Sequence, residues 1–98
     1  GKLMLLLYFI LSVFPADATE NRRHIHVVRR GSKKSHRGDT VAKMDGEERT
    51  EGHRDSVVKL SADEEAEMVK AIDDNWEELN RLIDEVFAGK KINIKRIK

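Results

Sequence analysis

The chain has 98 residues, no cysteine, a single proline and only five aromatic side chains, and 19 Lys and Arg against 18 Asp and Glu leave a formal net charge of plus one. This length supports one small core at most. The missing cysteines exclude both a disulfide framework and a cysteine-bound metal centre.

The chain opens on an apolar block. Lys2 supplies a positive charge, residues 3–14 are apolar except for Ser12, Pro15 ends the run, and Ala16 and Ala18 place small residues where a signal peptidase reads. A run of about 12 residues is too short for the ~20 needed to span a bilayer. Residues 1–18 are therefore expected to be a cleaved signal-peptide helix with no transmembrane anchor, which makes the mature chain secreted and extracellular, starting at Thr19.

The next zone, 19–60, is polar. Between 21 and 43 the cations Arg22, Arg23, Arg29, Arg30, Lys33, Lys34, Arg37 and Lys43 face Asp39 alone, a net of plus seven. Apart from Ile25, Val27 and Val28, nothing here repeats with a helical or strand period, so the segment is expected to be disordered. It carries Arg37-Gly38-Asp39. In that tripeptide a guanidinium reaches an acidic pocket, glycine lets the backbone turn, and a carboxylate completes the shell of a receptor-held divalent cation. On these three residues the chain resembles the RGD ligands of saliva and venom, which implies integrin binding by Arg37, Gly38 and Asp39.

Adjacent cations at Arg22-Arg23, Arg29-Arg30, Lys33-Lys34 and Lys90-Lys91 resemble the cleavage sites of peptide precursors. The same basic segment suits a polyanion. His24 and His26 share one face of an extended strand and could meet a metal with His36 or His53, but no rigid scaffold is foreseen to hold one, so no metal or other cofactor is expected.

The zone 61–89 holds the most consistent local signals. Ser61 and Glu64 form a capping box, acidic residues crowd the first turn, and Gly89 stands at the stop. One continuous helix is expected over 62–88. Val69, Ile72, Trp76, Leu79, Ile83 and Val86 follow a heptad spacing, flanked by Met68, Leu82 and Phe87, while Glu77 and Arg81 are spaced for an ion pair. Ten acidic residues against Lys70 and Arg81 leave the helix at minus eight. The apolar stripe is expected to bind a partner, either an extracellular protein receptor or a second copy of the helix. The basic end, 90–98, reads as a flexible tail, or else as a short strand set against residues 25–28.

Together these features describe a mostly disordered small secreted chain with one long C-terminal amphipathic α-helix. Its expected role is that of a non-enzymatic effector that engages an integrin and blocks cell adhesion or platelet aggregation, with no nucleic-acid partner. The alternative is a precursor or immunomodulatory peptide whose active unit is the helix or a basic fragment.

Overall fold

The computed structural model describes residues 2–13, 24–30, 40–45, 51–54 and 58–96. Its first two elements are strands, β1 (Lys2–Leu5) and β2 (Phe9–Ser12). The chain reverses between them through a tight turn, in which the Leu6 amide donates to the Phe9 carbonyl at 2.8 Å. The block expected to be a signal-peptide helix is thus a β-hairpin. Its leucines favour helix locally, but pairing on both sides of β2 overrides that preference.

Three more strands follow, β3 (His24–Arg29), β4 (Thr40–Asp45) and β5 (Glu51–Arg54). Each pairs antiparallel with its predecessor, and a two-residue β6 (Lys95–Arg96) adds parallel to β1, giving the order β5-β4-β3-β2-β1-β6. The register sets Leu11 opposite Val27 and Val27 opposite Ala42, while Ser12 faces His26 and His26 faces Lys43. Because side chains alternate between the two faces of a strand, Phe9, Leu11, Val13, Ile25, Val27 and Ala42 line the face that packs on the helices.

Two helices cover that face, α1 (Ala62–Asp74) and α2 (Trp76–Phe87). The Ser61 hydroxyl accepts from the Glu64 amide at 3.1 Å and the Glu64 carboxylate accepts from the Ser61 amide at 3.0 Å, completing the capping box. At the far end Gly89 takes φ +79°, a left-handed conformation that suits glycine. Its amide donates to Val86 and the Lys90 amide to Glu85, the paired bonds of a Schellman stop.

The single helix expected over 62–88 is broken at Asn75, whose φ and ψ are −116° and 19°. Its side-chain amide donates to the Ala71 carbonyl at 2.8 Å and its backbone amide donates to the same oxygen at 3.2 Å. An asparagine on the inward stripe thus competes for a backbone acceptor. Arg81 pairs with Glu78 and with Glu85 at 2.9 Å, in place of the expected Glu77.

The expectation of a mostly disordered chain with one long helix is therefore overturned. The sheet supplies an apolar surface within the chain, and the helices bury Met68, Ala71, Ile72, Leu79, Leu82 and Ile83 against it. Burial of Leu3, Met4, Leu6, Phe9, Leu11 and Val13 contributes on the order of 10 kcal/mol, comparable to the whole stability of a small domain. Removal of 1–18 would take all six from the core.

Candidate functional site

Of the residues singled out by sequence, Arg37, Gly38 and Asp39 lie outside the described residues, as do Ala16, Ala18 and Thr19. Val28 on β3 pairs with Thr40 on β4, so the segment 31–39 links two strands held in fixed register, and Asp39 immediately precedes the first paired residue of β4.

The helical stripe divides by burial. Ile72, Leu79 and Ile83 lie in the core, Trp76 and Val86 pack half-buried at its border, and Val69 stands 55% exposed. The inward seam runs through Met68, Ala71, Ile72, Asn75, Leu79, Leu82 and Ile83, rotated from the heptad reading toward the positions that had been taken as flanks. The sheet occupies most of the surface expected to receive a partner.

Opposite the helices the sheet presents a different chemistry. Ser12, His26 and Lys43 are successive cross-strand partners on β2, β3 and β4, and His53 on β5 faces Lys43 in register. Two residues along β3, His24 shares the face of His26. Ser12 and His26 are both 1% exposed. The His26 Nδ1 lies 3.3 Å from the Thr40 hydroxyl. The Ser12 hydroxyl is buried and meets no hydrogen-bond partner, a state that ordinarily costs about 1–3 kcal/mol. An apolar pair, Ile10 and Val28, borders this row one step along the strands.

Ser12, His26, Thr40 and Lys43 bring two hydroxyls, an imidazole and an ammonium to neighbouring positions, and Asp45 pairs with His24 one step along the strands. Among the described residues no group of three His, Asp or Glu is positioned to hold a metal ion, and no helix is long and apolar enough to cross a membrane.

Two basic side chains of β3 and its end serve the fold. Arg29 reaches Glu64 of α1 at 2.6 Å, and Arg30 donates to the Leu6 carbonyl at 3.0 Å. The hairpin β1–β2 is thereby tied to the end of β3 and to α1. At the helix break, Trp76 sits in a shallow groove with Asp73, Asp74, Glu77, Glu78 and Arg81. At the β1 edge, Lys2, Lys90 and Lys91 border Val86, Ile92 and Ile94.

No family model, no curated protein and no solved structure matches the chain. Sequence reasoning marked His24 and His26 by their alternate spacing but missed Ser12, Thr40 and Lys43. Only the strand register brings these together, and no spacing along the chain encodes that.

Proposed function

We infer that the chain is a non-catalytic binding module whose recognition element is the β3–β4 hairpin and whose partner is a polyanion. The observation that carries this reading is the separation of charge along the sequence, between the segment that forms the helices and the one that contains β3. The minus-eight segment 62–88 forms the helical layer on one face of the sheet, while the plus-seven segment 21–43 contains β3 and runs into β4. Arg29 is engaged by Glu64 and Arg30 by the Leu6 carbonyl, and this reading assigns the attraction to the other cations of the segment. Such a surface draws in polyanions by long-range attraction and loses affinity as salt rises.

The test compares heparin binding of the wild type with two charge-reduced variants. Replacing Lys33, Lys34 and Arg37 by Gln weakens binding roughly tenfold and lowers its salt dependence. Replacing Lys90 and Lys91 by Gln leaves binding near the wild-type value. Equal losses from both variants, or from neither, contradict a role for the hairpin.

A second reading retains the integrin-binding tripeptide in a secreted effector, and one feature favours it. The connection carrying Arg37, Gly38 and Asp39 starts and ends on strands paired at Val28 and Thr40, a constraint on the loop ends like the one a disulfide provides, and restraint lowers the cost of ordering on binding. In a cell-adhesion assay this reading requires that Asp39→Glu, which displaces the carboxylate by one methylene, abolish inhibition. Equal potency of the two proteins removes it.

A further inference from the structure

The hydroxyl of Ser12 sets a problem that the hairpin reading does not solve. It is buried without a partner on a central strand, and proteins rarely leave such a group unsatisfied unless something else meets it. Its cross-strand neighbour His26 is equally buried and lies at hydrogen-bonding distance from Thr40. The next neighbour along the row is Lys43, half-buried and cationic. Ser12, His26 and Lys43 are thus successive cross-strand partners on three adjacent strands, with the Thr40 hydroxyl beside His26 and Asp45 one register pair further along, opposite His24.

We propose that Ser12, His26, Thr40 and Lys43 form a seat for a tetrahedral oxyanion, of which a phosphate group is the representative. The class follows from the donors. Hydroxyl and imidazole groups donate single directed hydrogen bonds, and an ammonium adds a compact charge with three donors. Hydrogen bonds to an ionised acceptor are about twice as strong as neutral ones, so an anion offsets the cost of desolvating Ser12 better than a neutral ligand does. The apolar pair Ile10 and Val28 closes one flank of the row and strengthens the charge interaction by excluding water. The seat lies in the sheet itself, so it stands or falls independently of the cations in the 31–39 connection.

The probe is inorganic phosphate, titrated into the full chain at constant ionic strength against chloride, with thermal unfolding as the readout. Phosphate raises the wild-type Tm saturably, as expected for a ligand that binds only the folded state. Ser12→Ala removes the unpartnered hydroxyl without opening a large cavity, so this variant folds at least as well as the wild type, yet its phosphate affinity falls roughly tenfold or more. Lys43→Met weakens binding as well, while the triple Gln variant at 33, 34 and 37 keeps the phosphate response. An equal rise in wild type and Ser12→Ala overturns the proposal, because it shows screening by dispersed cations. No rise in either also overturns it. Should Ser12→Ala fail to fold, amide shifts of the wild type decide. Saturable changes centred on Ser12 and His26 support the seat, and their absence refutes it.

Discussion

The carboxylate of Glu67 on α1 accepts the backbone amide of Tyr8 at 2.8 Å, across 59 positions of sequence. Its other oxygen accepts the neighbouring Leu7 amide at 2.9 Å. One side chain thus satisfies both amides at the β1–β2 turn and fixes the hairpin to the helical layer. Hydrogen bonds to a charged acceptor stabilise more than neutral ones, and the turn is partly exposed. Glu67→Ala should cost about 1–2 kcal/mol, and Glu67→Gln, which keeps one acceptor, should cost less. Denaturant midpoints at unchanged slope check this, because an unchanged slope shows that the surface exposed on unfolding is the same.

Glu64 makes the stability sensitive to acid. The hydrogen bond from the Ser61 amide holds its carboxyl below the ordinary glutamate range, and the Arg29 guanidinium assists. A depressed folded-state pKa contributes stability that is fully present above the unfolded value and is lost as pH falls through the folded value. The difference in unfolding midpoint between wild type and Glu64→Gln should therefore be largest near neutral pH and shrink in acid below the ordinary glutamate range. A difference that grows on acidification contradicts this coupling.

The rotated helix seam makes neighbouring apolar positions unequal. Val69 is 55% exposed and Ile72 is 2% exposed. Val69→Lys should change stability by no more than about 0.5 kcal/mol, whereas Ile72→Ala should cost about 2–5 kcal/mol. A strict heptad seam predicts comparable losses at the two sites. Chemical denaturation of both variants separates the alternatives.

The cap and stop of the helical region were legible because they are local. Ser61, Glu64 and Gly89 act within a few residues of themselves, and the structure uses all three in those roles. The hairpin was not legible, since the apolar run at 3–14 has the length and composition of a secretion signal, and the pairing of β2 with β3 lies far from it in sequence. Ile25, Val27 and Val28 stood out as apolar, but the intervening His26 gave no strand alternation because the far face of β3 is buried too. β4 and β5 carry Lys43, Asp45, Glu51, His53 and Arg54, so composition alone read them as loop. The strand considered at the basic end forms with a different partner, β1 in place of β3, because β3 already has neighbours on both sides. As for the candidate site, His24 and His26 were visible, while Ser12 lies inside the segment read as a signal peptide.

The apolar opening of the chain forms the hairpin β1–β2 within the sheet, and amide hydrogen exchange at Leu11 tests this most directly. Leu11 lies on β2, between β1 and β3, paired with Met4 on one side and Val27 on the other. Its amide should exchange only through global unfolding, with protection equal to that of Ile83 in the helical core. Exchange of Leu11 at the rate of an unstructured peptide, while Ile83 stays protected, would contradict the account.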